Sequence, residues 1–107
     1  MTHKVSLTAR AVRDLEMIYD FFTLREGSPQ ADAILDRLEA AANSLKHLPG
    51  RGNCPPELER IGIRAFKEIH AAPYRIIYQV SDGSVYIHCI LDARRDIQSL
   101  LTERLLN

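Results

Sequence analysis

The sequence predicts an α+β fold in which a helical hairpin packs on a small, mostly antiparallel sheet, with elements in the order β-α-α-β-β-β-α. Three observations predict it. Two apolar stripes of helical period succeed one another with only Gly27, Ser28 and Pro29 between them. The stretch Leu48–Pro56, with three prolines and two glycines, cannot continue a helix and separates that pair from the C-terminal half of the chain. Asp82-Gly83 then sits between two runs rich in β-branched and aromatic residues, as a tight hairpin turn requires.

Val5 and Leu7 alternate with Lys4 and Ser6, so His3–Leu7 reads as an opening strand. Thr8 is a good N-cap for a first helix, residues 8–26, whose stripe is Ala11, Val12, Leu15, Ile18, Tyr19 and Phe22. Gly27 stops it, Ser28 and Pro29 start the next, and a second helix over 29–47 buries Ala31, Ile34, Leu35, Leu38, Ala41, Ala42 and Leu45. So short a link makes the two helices antiparallel. Beyond the loop, a strand from about Ile61 to Ala71 puts Ile63, Ala65 and Ile69 on one face and Arg64, Phe66, Glu68 and His70 on the other.

The turn at Asp82-Gly83 places Ser81 opposite Ser84. Counting back without interruption pairs Val80 with Val85, Tyr78 with Ile87, Ile76 with Cys89 and Tyr74 with Leu91, one apolar face. The other face pairs Gln79 with Tyr86, Ile77 with His88 and Arg75 with Ile90, a mixed surface left open for work. From Arg94 the period changes again, and Ile97, Leu100, Leu101 and Leu105 form the stripe of a last helix, with Asp92 as a nearby cap.

At 107 residues the chain reads as one domain, 1–107, able to bury roughly two-thirds of its unfolded surface. Lys plus Arg equals Asp plus Glu, 14 against 14, so there is no overall bias towards nucleic acid or an anionic membrane. Two cysteines, Cys54 in a loop and Cys89 on the expected core face, imply no disulfide framework and fit a reducing cytoplasm. No apolar run is long enough to span a bilayer, so membrane association is not expected. His3, His47, His70 and His88 lack ligand spacing, and neither a metal nor another cofactor is implied.

Within this frame, Tyr74-Arg75-Ile76-Ile77-Tyr78, the adjoining hairpin, Arg94-Arg95-Asp96, and the loop positions Leu45, Pro49 and Gly52 together resemble the RelE/ParE superfamily of type II toxin–antitoxin toxins. The resemblance covers essentially the whole chain and implies the RelE/ParE fold. It divides by chemistry. RelE-like members are ribosome-dependent mRNA endonucleases, which need cations on the scissile phosphate and acid–base groups near the 2′-OH. ParE-like members poison DNA gyrase.

Residue by residue, Arg75 and Arg95 match phosphate-binding arginines of the nucleases. Leu101 stands where they carry a tyrosine, and Phe66 and Glu68 where they carry two lysines. His88 approximates a histidine that some other nucleases of the group use. The resemblance therefore favours a ParE-like gyrase poison, with an mRNA endonuclease built on Arg75, Arg95 and His88 as the alternative and a non-toxic binding module of the same fold as a second.

For the favoured branch, Arg94, Arg95 and Arg75 are the candidate target contacts. Each has a structural counterpart: Arg75 an ion pair with Glu68 or a neighbouring acid, and Arg94 and Arg95 pairs with Asp92 and Asp96, since cations at a helix start oppose its dipole. The resemblance also implies a cognate antitoxin, a small DNA-binding protein whose C-terminal segment wraps the toxin. Met17, Phe21 and Leu24, apolar but off the main stripe of the first helix, are the candidate antitoxin contacts.

Overall fold

In the computed structural model, which describes residues 2–106, β1 (Lys4–Leu7) ends at Thr8. The Thr8 hydroxyl accepts a hydrogen bond from the Ala11 amide at 3.2 Å and caps α1 (Ala9–Glu26). Gly27 then serves two helices. Its amide donates to the carbonyls of Phe22 and Thr23, closing α1, and its carbonyl accepts from Ala31, opening α2 (Ser28–Ser44). Its φ of 93° is a conformation that strains any residue with a Cβ. Ala11, Leu15, Ile18 and Phe22 of α1 and Ile34, Leu38, Ala41 and Ala42 of α2 face a common core, with Leu45 just past the end of α2. Val12, expected on the stripe, is 43% exposed.

The chain then departs from expectation. Residues 61–66 form a turn followed by irregular chain, not strand, and a single helical turn, α3 (Pro56–Glu59), precedes them. The Leu58 carbonyl accepts from the amides of both Ile61 and Ile63, which curls this stretch back on α3 instead of extending it. The expected strand begins only at Lys67 as β2 (Lys67–Ala71). With β3 (Tyr74–Ser81) and β4 (Ser84–Asp92) it completes a four-stranded sheet in the order β1-β4-β3-β2, in which only β1 and β4 run parallel.

The hairpin turn is as expected, with φ of 42° at Asp82 and 79° at Gly83. From Ser81–Ser84 to Tyr78–Ile87 the register matches the count. There it breaks: a bulge sets Ile77 opposite Cys89, Ile76 opposite Ile90, Arg75 opposite Leu91 and Tyr74 opposite Asp92. One extra residue on β4 moves every later side chain to the other face. Tyr74, Ile76, Tyr78, Val85, Ile87 and Ile90 therefore share the core under α1 and α2, while Cys89 leaves it. Cys89 joins Ile77 and Leu91 in a second core with Leu58, Ile97 and Leu101.

The second face of the sheet is thus not an open working surface. Over Ile77, Cys89 and Leu91 it is covered by α3 and by α4 (Ile97–Leu105), while Tyr86 near the turn stays 42% exposed. The last helix starts three residues later than Arg94, because Asp96 is its cap: its carboxylate accepts from the Ser99 amide at 3.2 Å and the Ser99 hydroxyl at 2.8 Å. Replacing Asp96 with alanine should lower stability by about 0.5–2 kcal/mol. Thermal melts monitored by circular dichroism measure this, and an unchanged midpoint would mean that the cap is dispensable.

Candidate functional site

Arg75 is buried, 8% exposed, and its guanidinium is fully engaged. Glu57, delivered by α3, receives two parallel bonds from it at 2.8 Å each, and Glu68 of β2 receives the third, from Nε. Asn53 Nδ2 donates to the other Glu68 oxygen at 3.2 Å. One cation faces two carboxylates, so the site repels an anion that approached Arg75. Hydrogen bonding from Arg75 holds the Glu57 carboxyl below its ordinary range. The short α3 has a clear use here, since it carries Glu57 to Arg75 while Gln98 of α4 donates to the Glu57 carbonyl at 3.2 Å.

A second charged cluster, not foreseen from the sequence, closes the bulge. Arg104 of α4 donates to both Asp14 oxygens at 3.0 and 2.9 Å and to the His88 carbonyl at 2.9 Å, and Asp14 accepts from the Ile90 amide at 2.9 Å. These two side chains, 8% and 15% exposed, satisfy backbone groups flanking the bulge. A signal existed. Asp14 lies three residues after Ala11 and four before Ile18 on the stripe of α1, and Arg104 three after Leu101 on that of α4. Charges on buried stripes of two helices call for each other.

The His88 side chain is half-buried, 3.2 Å from Gln79 Oε1 and edge-on to Phe66 with ring centres 5.5 Å apart. Burial, reinforced by Arg104, lowers its pKa, which favours the neutral ring. Neither Arg75 nor Arg95 is among its hydrogen-bond partners. Leu101 is fully buried in the second core, Phe66 packs against that core, and Glu68 is committed to Arg75. Leu101 and Phe66 are thus engaged in packing and Glu68 in an ion pair.

Arg94 and Arg95 stand in the turn before α4. Arg94 folds back on Asp92, with Nε at 2.9 Å and Nη2 at 2.6 Å, and this holds the Asp92 carboxyl down at about 2. Even so, 76% of the Arg94 side chain is exposed. Arg95 donates only its amide, to the Asp92 carbonyl, and its exposed side chain has no ion-pair partner among the described residues. Asp96, the expected partner, is occupied by Ser99.

This turn borders a cleft of about 640 Å³ between α1 and α4. Tyr74, Ile90 and Leu100 contribute to its apolar lining, and Met17 and Phe21 line the α1 side. Two of the three antitoxin candidates thus meet two of the three target candidates. Met17 and Phe21 are 70% and 52% exposed; Leu24, 87% exposed, lies outside the cleft, and Arg75 is buried elsewhere. Among the described residues no group of three or more His, Cys, Asp or Glu is placed to hold a metal, and no helix is long and apolar enough to cross a membrane.

No curated protein matches the chain by sequence. In structure it is similar to the chromosomal ParDE toxin–antitoxin system of Pseudomonas aeruginosa, with a TM-score of 0.71 at 17% identity over 85% of this chain and 96% of that one. The RelBE2 toxin–antitoxin complex of Mycobacterium tuberculosis aligns with a TM-score of 0.63 at 22% identity, over 86% and 99% of the respective chains. A free arginine-to-alanine double mutant of the Escherichia coli toxin RelE aligns at 0.67 and 17% over 99% and 97%. These likenesses establish the RelE/ParE fold. The family model for the ParE toxin of the type II toxin–antitoxin system parDE matches residues 5–97. With most of its length matched, the chain belongs to the ParE toxin family of type II toxin–antitoxin systems.

Proposed function

We propose that this chain arrests growth by trapping DNA gyrase on cleaved DNA, with the Arg94–Arg95 turn and α4 as the target contact, and that a cognate antitoxin holds it inactive. The observation that carries this reading is the state of Arg75. A phosphate-binding arginine must be free to meet an anion, whereas Arg75 is buried between Glu57 and Glu68. Leu101 and Phe66 have no group that could transfer a proton, Glu68 is buried and committed to Arg75, and each missing acid–base group removes a contribution of about a hundredfold to ten-thousandfold.

Purified toxin added to a supercoiling assay is expected to inhibit gyrase and accumulate linear DNA, while mRNA on ribosomes stays intact. Codon-specific mRNA cuts with gyrase untouched would overturn the reading. The antitoxin's C-terminal segment docks as an amphipathic helix over Met17, Phe21 and Leu24, with the outer edge of β1 available for an added strand. Met17→Asp with Phe21→Asp should weaken antitoxin binding by about a hundredfold while the melting curve stays put, as is typical for anchors of a helix in a groove. Unchanged affinity in a folded double variant would remove these residues from the interface.

A further inference from the structure

We infer that Asp92 and Arg94 form a staple that fixes the turn before α4, and that the staple's use is to present Arg95, the unpaired cation of that turn, to the target. Asp92 and Arg94 are then positioning residues, and Arg95 is the residue that makes the contact. The use of Arg95 rests on the proposed gyrase target, whereas the staple stands on the chain alone.

Ala93, Arg94 and Arg95 separate the end of β4 from the Asp96 cap of α4, and each of their amides is bonded. Ala93 donates to the Pro73 carbonyl at 2.8 Å, Arg94 to Asp92 Oδ1 at 2.9 Å, and Arg95 to the Asp92 carbonyl at 3.1 Å. An aspartate side chain that accepts from the amide two residues on fixes a turn without help from the rest of the fold. The same carboxylate takes the Arg94 guanidinium at 2.9 and 2.6 Å, so one side chain holds both the backbone and the first arginine. The neighbouring turn is held from α2, where Arg37 donates to the Ala72 carbonyl beside Pro73. The backbone at Arg95 is therefore tied on both sides, and its side chain is what remains free.

The charges are arranged to the same end. Of Asp92, Arg94, Arg95 and Asp96, three are engaged: Asp92 and Arg94 with each other, and Asp96 with Ser99. Arg95 is left exposed, with no ion-pair partner among the described residues. Two adjacent cations at a helix start repel each other and oppose its dipole, so pairing Arg94 with Asp92 makes it easier to keep Arg95 there. A guanidinium on a fixed turn also loses less freedom on binding than one on a mobile loop. An exposed ion pair adds little to stability. With 76% of its cationic side chain exposed, this one is better placed to hold Arg95 than to hold the fold.

Asp92→Ala separates a staple from a mere display of charge, because the two give opposite signs. If both arginines only present charge, removing the acid beside them frees a second cation, and gyrase inhibition holds or strengthens. If Asp92 is a staple, inhibition weakens although the turn has become more positive. The concentration for half-inhibition of supercoiling is expected to rise roughly tenfold, about as much as for Arg95→Gln, on the scale of an arginine anchor. Asp92→Asn keeps an acceptor for the Arg94 amide and should recover part of the loss. Hydrogen exchange followed by NMR reads the staple in the free chain. Asp92→Ala should speed exchange of the Arg94 and Arg95 amides about tenfold and leave those of Ile76 and Val85 in the sheet unchanged.

An Asp92→Ala chain, confirmed as folded by its melting curve, that inhibits gyrase as well as the native chain would overturn the positioning role. Arg94 and Arg95 amides that exchange as slowly in the variant as before would overturn the staple. A native chain without effect on gyrase is a different failure: it refutes the target, and with it the use of Arg95 there, while faster exchange in the variant would still establish the staple.

Discussion

Arg75→Met is expected to lower stability by about 3–5 kcal/mol, the usual consequence of removing one partner from a buried ionic cluster. The loss comes from what is left behind. Glu68 is 2% exposed and would keep only the Asn53 side-chain amide and the distant His70 ring, at 3.2 and 3.5 Å, while Glu57 would lose the two bonds that hold it. Adding Glu68→Gln should recover part of the loss by removing one uncompensated charge.

The pH dependence provides a second signature. In the native chain Arg75 holds the Glu57 carboxyl below its ordinary value of 4.5, so this contribution to stability is complete above pH 4.5 and is lost as pH falls through the depressed value. In the variant, a carboxyl in the same partly buried place without its cation takes up protons more readily than in the unfolded chain. The sign then reverses, and stability rises as pH is lowered from 7 towards 5. Urea unfolding at both pH values measures this. A loss below about 1 kcal/mol with no reversal would mean that water, not Arg75, solvates the carboxylates.

Tyr78→Ala is expected to cost about 3–5 kcal/mol, as for other large side chains cut from a core. Tyr78 is fully buried, and its hydroxyl donates to the Pro49 carbonyl at 2.8 Å and accepts from the Gly52 amide at 3.1 Å. The ring packs the core and its tip fastens the proline-rich loop to the sheet. Tyr78→Phe separates these roles: it keeps the ring and leaves a partly buried carbonyl and amide without their partner, for about 1–3 kcal/mol.

Gly52→Ala attacks the same joint from the loop. A Cβ there would overlap the Glu68 carbonyl oxygen and lie 2.6 Å from the Tyr78 hydroxyl oxygen, so the bridge in which Asn53 and Glu68 exchange hydrogen bonds at 3.1 and 2.7 Å would have to shift. Chemical denaturation of the three variants compares them directly. A Tyr78→Phe variant as stable as the native chain would show that the loop does not depend on the hydroxyl. The joint also explains why Leu45, Pro49 and Gly52 occur with a tyrosine at 78, since Leu45 is fully buried in the core that the ring completes.

How far the sequence could be read depended on the range of the interaction. The start of α1 and the junction between α1 and α2 were legible because a threonine cap, a glycine stop and a proline at a first turn act within a few residues, whereas α2 ends at Ser44, short of the expected 47, and is entered through Gly27 with no side-chain cap from Ser28. The hairpin register near Asp82-Gly83 was legible for the same reason, and Tyr78 and Ile87 do share a core. The bulge was not. Ile87-His88-Cys89-Ile90-Leu91 offers apolar residues to either face on both sides of His88, so two registers bury similar surface. The start of α4 was misplaced because Asp92 and Asp96 are both plausible caps in a short window, and only the backbone decides between them.

The sequence by itself determined the types of the two long helices, the central hairpin and the last helix, the hairpin of helices, the turn and the family resemblance, because periodicity and turn chemistry are local; it missed α3 and extended β2 too far. Tertiary structure decided which charges are paired and which stay exposed. Asp14 and Arg104 are 90 residues apart and meet only when α4 covers the bulge. Arg75 could be expected to find Glu68, seven residues away across a hairpin, but Glu57 reaches it only because an unforeseen turn of helix forms just before the stretch expected to be strand. Burial makes each of these pairings obligatory, since a lone charge in a core is far costlier than an exposed one. Arg13 and Arg95 escape that requirement because they are exposed at the rim of a cleft, where water solvates them.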